Sequence, residues 1–195
     1  MANIITSTTS SAKEEFYALE YLKCRQNPLY FIYNYAYIPE VGSSLLLSRE
    51  HVHEKFKRVV RSIYRYHKVI YMASRQLGKT TVAACLITWA ANFFPGIPII
   101  ILNMRQSAAL ENLGRIKFIH SMLPPWMKSP IKGRAEKKTY LELDNNSLIR
   151  TFYPASNAGP DQIARSLTAP ILYIDEVAFI RHIDIAYRAA QPVLI

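Results

Sequence analysis

The segment Ala73–Thr80, which reads Ala-Ser-Arg-Gln-Leu-Gly-Lys-Thr, decides the fold that we predict for this chain. A short apolar run, Val69–Met72, precedes it, and an apolar stretch with helical character, 81–93, follows it. Strand, loop, Gly-Lys-Thr and helix is the layout of a phosphate-binding loop, because N–H groups of the loop and of the helix N-terminus converge on an anion. In that layout Lys79 reaches the β- and γ-phosphates and the Thr80 hydroxyl binds Mg²⁺. The alternative interpretation is a helix N-terminus with a surface lysine, since the first glycine of the usual pattern is alanine here.

A second motif, Ile171–Glu176, supports the phosphate-binding interpretation. Four apolar residues followed by two acids predict a buried parallel strand that ends in carboxylates. Ligands of open α/β sheets bind at the carboxyl ends of strands, so the two acids are expected to face the loop. Asp175 is then a candidate Mg²⁺ ligand, and Glu176 is a candidate base for the attacking water. The alternative is a strand that ends in solvated acids.

Composition limits the class of protein and of partner. A length of 195 residues predicts one domain with at most a small appendage. The chain has 24 Lys and Arg against 14 Asp and Glu, a formal net charge of +10, which favours an anionic partner, nucleic acid before a membrane surface. Two cysteines, Cys24 and Cys85, form no disulfide framework and fit a reducing compartment. The uncharged stretch 81–104 is interrupted by Pro95–Pro98, which favours a helix and a strand over a membrane span.

The remaining elements follow from composition and periodicity. We predict a disordered tail over 1–13, an N-terminal helical and aromatic arm over 14–68, and an ATPase core over 69–195. Inside these regions the patterns predict helices over 14–23, 49–66, 105–123 and 183–190, a strand over 98–104, and a β-hairpin over 139–153. The aromatic stretch 24–35 favours a small core that packs the arm on the body, with base stacking as the alternative.

Two basic segments are candidate nucleic-acid contacts. One is a stripe along the predicted helix 49–66, with the members Lys55, Arg58, Arg61 and Arg65. The other is a loop with the members Lys128, Lys132, Arg134, Lys137 and Lys138. Either could follow a phosphate backbone, and either could equally be a solvated face. His51 and His53 are not predicted to share a metal, because their spacing places them on different faces of a helix.

Residues 74–81 strongly resemble the deviant phosphate-binding loop of the large terminase subunit of tailed bacteriophages. Four further stretches agree with that family in order and spacing, so that the resemblance covers about residues 20–195: 27–31, 139–153, 173–180 and 190–193. It implies an α/β fold of the P-loop NTPase (ASCE) type, a three-layer sandwich with a mostly parallel sheet and an antiparallel hairpin. It also implies ATP and Mg²⁺ as cofactors, double-stranded DNA as substrate, and packaging of that DNA into a procapsid.

The resemblance carries roles and partners to this chain. It implies that Asp175 supports Mg²⁺ together with Thr80, and that Glu176 is catalytic. The residues implied to hold the nucleotide are Ser74, Arg75, Gln76, Leu77, Gly78, Lys79, Thr80 and Thr81. Arg75 is also a candidate arginine finger; a ground-state phosphate contact or an ion pair is the alternative, as is Arg165 or Arg181 acting from another subunit. The implied partners are the portal protein, the small terminase subunit and further copies in a ring, in the host cytoplasm and transiently on the procapsid, with no membrane.

Two features depart from the family pattern. No glutamine occurs over 49–56, where many relatives carry one for adenine recognition. The sequence ends at Ile195, before the expected coupling strand and nuclease domain. We therefore expect an ATPase domain incomplete at its C-terminal edge, as a fragment or as one product of a split gene. Two other hypotheses stay open: a helicase-like DNA-stimulated ATPase, and a nucleotide-binding module for DNA or protein that does not hydrolyse.

Overall fold

The structure is a computed structural model that describes residues 2–66, 68–72, 74, 77–132, 138–153, 169–180 and 183–190. Its helices in this part of the chain are α1 (Ala2–Gln26), α2 (Pro28–Tyr35), α3 (Glu54–Arg65), α4 (Lys79–Phe93), α5 (Gln106–Ser121) and α6 (Ile183–Ala190). Its strands are β1 (Tyr37–Glu40), β2 (Ser43–Leu46), β3 (Pro98–Leu102), β4 (Tyr140–Glu142), β5 (Leu148–Phe152) and β6 (Ile171–Ile174), and a 3₁₀ turn spans Val177–Phe179.

The main sheet is mixed and mostly parallel. Within the described residues its strand order is β4-β5-β3-β6, with β3 parallel to both β5 and β6 and β4 antiparallel to β5. The β4–β5 hairpin confirms the one predicted over 139–153. A separate two-stranded antiparallel sheet, β1–β2, was not predicted. The chain is therefore an α/β protein with a mixed sheet and an antiparallel hairpin.

The central strand β3 separates two apolar layers. Ile99 and Ile101 are fully buried and belong to the main core, which also takes in buried side chains of α4 and α5. The Ile100 side chain points to the opposite face of the sheet, as alternation along a strand requires. There it forms a smaller cluster with Ala169, against which Leu172 of β6 and Ile183 of α6 pack. The helix α4 is apolar around much of its circumference, which suits a helix buried between neighbouring elements.

The N-terminal arm packs on this body through aromatic rings. Phe31 is fully buried and meets the ring of Phe93 edge-on, with centroids 5.5 Å apart. Tyr21 contacts the same ring from α1 at 4.9 Å. The helix α2 begins at a strong sequence signal, because the Asn27 side chain accepts from two backbone N–H groups and Pro28 occupies the first turn. The predicted aromatic core is thus confirmed.

Glu20 joins the two arm helices through a buried carboxylate. Its oxygens accept hydrogen bonds from the hydroxyls of Tyr30 and Tyr35 at 2.9 to 3.0 Å and from the Lys23 ammonium at 2.8 Å. Burial raises the pKa of Glu20, but the hydrogen bonds from Lys23, Tyr35 and Tyr30 outweigh it and lower the pKa overall. The ionised carboxylate therefore stabilises the packing of α1 on α2.

The predicted strand over Val69–Met72 is wrong. These residues have no strand pairing in the structure, and Ile70 and Met72 are 87% and 89% exposed. As a consequence, among the described residues only β3 pairs with β6, and every residue of β6 is half-buried where a fully buried strand was expected. The apolar pattern indicates where a strand can form, but strand pairing is a non-local interaction that the pattern does not encode.

Two helices begin at other residues than predicted. The helix α3 begins at Glu54, not at residue 49, because the His53 side chain accepts from the Lys55 N–H and acts as the N-cap. The backbone of α1 is helical from Ala2, which differs from the tail predicted over 1–13 and the helix predicted over 14–23. Ser and Thr lower helix propensity by less than about 0.7 kcal/mol each, so a helix can continue through them.

Candidate functional site

The N-terminus of α4 forms one side of the candidate site. Gly78 is its N-cap in the left-handed region, with φ of 73°, a conformation that glycine adopts without a steric penalty. Lys79 begins the helix, and the Val82 N–H donates to the Gly78 carbonyl at 2.9 Å. The first N–H groups of a helix lack partners inside it, so this end of α4 is suited to an anion.

The carboxyl end of β6 forms the other side. Asp175 follows the strand directly, and its backbone N–H extends the ladder by donating to the Leu102 carbonyl at 3.0 Å. The Thr80 hydroxyl donates to Asp175 Oδ2 at 3.5 Å. Two residues that the sequence separates by 95 positions are therefore neighbours, as expected if the loop and the acidic strand share one ligand.

Asn112 of α5 is a member of this cluster that the sequence did not reveal. It is buried, and its side-chain amide donates to Asp175 Oδ2 at 3.2 Å. An asparagine inside a helix gives no motif, and only its placement among apolar neighbours on the buried face of α5 could have singled it out. With Thr80 it fixes the orientation of the Asp175 carboxylate.

Tyr173 adds a protonated hydroxyl beside the same carboxylate. Burial, then the charge of Asp175 and a hydrogen bond to it, raise the pKa of Tyr173 well above its ordinary value. The phenol consequently stays a hydrogen-bond donor at any physiological pH. Its position two residues before Asp175 places both side chains on the same face of β6.

Glu176 differs from Asp175 in both backbone and exposure. It has a left-handed conformation, with φ of 51°, which is uncommon for a residue other than glycine. Its side chain is exposed, and its carbonyl accepts from the Phe179 N–H at 2.9 Å in the turn that follows. The structure thus holds one acid inward, against Thr80, and leaves the next one accessible.

The structure describes some of the remaining predicted site residues but not all of them. Ser74 and Leu77 are exposed, while Thr81 is half-buried on α4. Arg75 and Gln76 lie outside the described residues, as do Arg165 and Arg181, so each arginine role stays a prediction. His51 and His53 serve as local hydrogen-bond partners, of the Ser48 hydroxyl and the Lys55 N–H respectively.

The residues present fit a small divalent cation. Mg²⁺ prefers oxygen ligands, keeps several of its waters and needs only one or two protein carboxylates. The Thr80 hydroxyl and the Asp175 carboxylate supply such oxygens at one point. In the described ranges no group of three or more His, Cys, Asp or Glu side chains is arranged to hold a metal. This part of the chain therefore contains no site in which protein side chains alone would surround a metal ion.

The basic stripe of α3 is exposed in the structure. Arg61 contacts Glu54 at 3.5 Å, and Lys57 contacts the same carboxylate at 3.1 Å. The other members of the predicted stripe are also on the surface: Lys55, Arg58 and Arg65. In the basic loop Lys132 contacts Glu142 at 3.0 Å, whereas Arg134 and Lys137 lie outside the described residues.

The helices of the described part include none whose length and apolar content would suit a bilayer crossing.

This arrangement defines a class of protein: an α/β fold in which a glycine-capped helix N-terminus faces a carboxylate at the end of a parallel strand. A sequence model of the family described as "Terminase large subunit, T4likevirus-type, N-terminal" matches residues 70–195, more than half of the chain. The chain belongs to that family and is a terminase large subunit sequence from its N-terminal domain. The predicted resemblance is confirmed over residues 70–195, and membership implies a role in phage DNA packaging.

Proposed function

We propose that this chain is the ATP-hydrolysing motor domain of its terminase large subunit, of the P-loop NTPase type with a three-layer sandwich. ATP is the substrate, Mg²⁺ is the cofactor, and the energy of hydrolysis drives double-stranded DNA into the procapsid. The single observation that carries the proposal is the 3.5 Å contact between Thr80 and Asp175. Residues of two separate nucleotide motifs are expected to meet only if both serve one ligand.

Each residue of the site then has a role in binding or in proton transfer. Lys79 and the N–H groups at the start of α4 bind phosphate oxygens, and Ser74, Gln76, Leu77, Gly78 and Thr81 complete the cradle. Thr80 and Asp175 hold Mg²⁺, which when bound supplies positive charge to the β- and γ-phosphates. Glu176 orients the attacking water and accepts its proton. Arg75 stabilises the charge that develops on the transferred phosphoryl group.

The exposure of Glu176 supports its assignment as the base. A carboxylate that must reach a water molecule needs to be accessible, whereas Asp175 is already engaged with Thr80 and Asn112. Two adjacent acids with different surroundings are a common basis for different roles in catalysis. The direction of each side chain follows from the backbone, since Glu176 leaves the strand in a left-handed conformation.

The proposed partners follow from charge and family. The formal net charge of +10 favours nucleic acid, and the α3 stripe presents Lys55, Arg58 and Arg65 to solvent for contacts with DNA phosphates. We include the portal protein, the small terminase subunit and a ring of identical chains as partners during packaging. The site of action is the host cytoplasm, with the procapsid as the transient platform.

This proposal is tested by measuring ATP hydrolysis by the purified wild-type chain and by Glu176→Gln. We expect Mg²⁺-dependent ATP turnover that double-stranded DNA stimulates, and a loss of about 10²-fold or more in Glu176→Gln with nucleotide affinity retained. Asp184→Asn, an exposed acid at the start of α6, is the matched control and should turn over at the parental rate. Parental turnover in Glu176→Gln would overturn the assignment of the base.

A second candidate function has one observation in its favour. Residues 68–72 have no strand pairing in the structure, so the segment before the loop does not brace it as a neighbouring strand would. A chain in that state is expected to bind nucleotide and DNA without turnover, as a binding module. Saturable ATP binding with no hydrolysis in the wild type, with or without DNA, would place this function first.

A further inference from the structure

Asn103 carries a buried oxygen that lacks a hydrogen-bond partner. The residue follows β3 directly and is 1% exposed, and no group in the described part of the chain donates to its Oδ1. Its backbone is well placed, since the Asn103 N–H donates to the Phe152 carbonyl at 3.0 Å. A buried carbonyl oxygen without a donor destabilises the fold, so a donor is expected to reach this position.

The sheet register places Asn103 beside Asp175. Leu102 and Ile174 are paired between β3 and β6, and the ladder continues through the bond from the Asp175 N–H to the Leu102 carbonyl. One step further along both strands are Asn103 and Asp175. Neighbouring residues in register on parallel strands present their side chains to the same face of the sheet. The unpaired oxygen therefore lies on the face where Asp175 meets Thr80.

Asn112 approaches the same carboxylate from the helical layer. Its amide donates to Asp175 Oδ2 at 3.2 Å, and this is also the oxygen that the Thr80 hydroxyl contacts. Both of these protein donors use one oxygen of the carboxylate. Hydrogen bonds of this kind to a ligating carboxylate commonly orient it and strengthen metal binding.

We propose that Asn103 is an outer-sphere binding residue for the cation, and that Asn112 is the positioning residue that holds Asp175 for it. Mg²⁺ retains several bound waters, and each of these is a hydrogen-bond donor. The Asn103 Oδ1 accepts from one of them, which satisfies the buried oxygen only when the hydrated cation is present. This inference rests on the proposed function, because the cation enters with the nucleotide.

The test measures the Mg²⁺ concentration that gives half-maximal binding of a fluorescent non-hydrolysable ATP analogue to the full chain. We expect Asn103→Leu to raise that concentration about tenfold, within the 10–100-fold range typical of outer-shell partners. Affinity for the analogue in EDTA should be unchanged. Without nucleotide the melting temperature should be equal or higher, because leucine removes the unpaired oxygen. Asn103→Ser, which keeps an acceptor, should restore part of the Mg²⁺ response.

Asn112→Leu separates the positioning role from a structural one. It should raise the same Mg²⁺ midpoint and leave the EDTA affinity unchanged, whereas Asn34→Leu, at an exposed asparagine of α2, should change neither quantity.

Each other outcome contradicts the inference in a recognisable way. An unchanged Mg²⁺ midpoint in Asn103→Leu would mean that a structural water alone satisfies the oxygen. An equal loss of affinity in EDTA would mean that Asn103 acts on the nucleotide or on the fold. If the wild type bound the analogue without any dependence on Mg²⁺, the cation part of the proposed function would fail first, and this inference with it.

Discussion

The Thr80 hydroxyl lies 3.5 Å from Asp175 Oδ2, across the junction between the start of α4 and the end of β6. The contact joins the loop motif to the acidic strand motif. Since the hydroxyl and the carboxylate are both oxygen ligands suited to Mg²⁺, this pair is the cation site that we propose.

Thr80→Val tests this pair with little change in shape. Valine keeps the β-branch and removes the hydroxyl, so we expect nucleotide affinity in the presence of Mg²⁺ to fall by about tenfold or more. Affinity measured in EDTA should change little. Thr88→Val on the same helix is the control, because the Thr88 hydroxyl donates to the Ala84 carbonyl inside α4. Equal behaviour of the two variants would argue against a cation at Thr80.

Glu20→Ala should destabilise the arm. The change leaves the half-buried hydroxyls of Tyr30 and Tyr35 without their acceptor, and we expect the free energy of unfolding to fall by about 1–3 kcal/mol. The exposed Glu15 on the same helix serves as the control, and Glu15→Ala should stay within about 0.5 kcal/mol of the wild type.

The Glu20 contribution should also depend on pH in a defined direction. Because folding lowers the pKa of Glu20 below its usual value of 4.5, its stabilisation is fully present above that pH. It is lost as the pH falls through the folded-state pKa. Chemical denaturation of the wild type and of Glu20→Gln between pH 7 and pH 3 checks the sign, and parallel curves would contradict it.

Replacing glycine by alanine should change the stability of the protein in opposite directions at two positions. Gly78 has φ of 73°, so Gly78→Ala forces a left-handed alanine and should cost about 1–2 kcal/mol. Gly114 lies within α5 beside an open surface pocket of about 470 Å³, and an added Cβ there meets no heavy atom within 4 Å beyond its chain neighbours and the backbone of its own helix. Gly114→Ala should therefore stabilise the protein by up to about 1 kcal/mol through helix propensity. Thermal unfolding of both variants measures the two signs, and destabilisation by Gly114→Ala would contradict the packing described for α5.

Because His120 is buried, we expect the protein to lose stability on mild acidification. Its Nε2 lies 2.8 Å from the Ser129 carbonyl and must carry the proton there, since a carbonyl only accepts, and its buried Nδ1 has no partner among the described residues. Burial lowers the pKa of His120 below its usual value of 6.5, although the hydrogen bond to Ser129 opposes this, and the charge of Lys128 lowers it further.

The sign follows from proton uptake by the unfolded chain. The stabilisation by neutral His120 is fully present above about pH 6.5, where neither state holds the proton, and is lost as the pH falls towards the folded-state pKa. The slope from this one group is at most about 1.4 kcal/mol per pH unit. Denaturation curves between pH 7.5 and pH 5 should show the decline in the wild type and a smaller one in His120→Gln. An equal decline in both would assign it to other groups.

Local patterns predicted most strands of the main sheet. Apolar runs bounded by turn residues located β3, β6 and the β4–β5 hairpin, because their side chains face a shared core. Pro28 after Asn27 marks the start of α2, since asparagine at the N-cap and proline in the first turn are a local helix-start signal. The strand predicted over Val69–Met72 failed for a different reason, since strand pairing depends on an edge supplied elsewhere in the chain.

The candidate site was predicted only where a motif marks it. Thr80 and Asp175 were identified by the loop motif and the acidic strand motif, and the structure brings them together. Asn112 and Asn103 were not identified, because an asparagine that supports a carboxylate across the sheet or from a helix has no spacing rule in sequence. Their positions depend on the register between β3 and β6, which only the tertiary structure supplies.

The most direct measurement is a calorimetric titration of the chain with a non-hydrolysable ATP analogue and Mg²⁺, beside the same titration of Lys79→Ala. It tests the nucleotide site without requiring turnover or DNA. We predict saturable binding at one site in the wild type and loss of that binding in Lys79→Ala, with the melting temperature of the variant preserved. No binding by a folded wild type, or equal binding by Lys79→Ala, would contradict the claim that the start of α4 and the end of β6 form a nucleotide site.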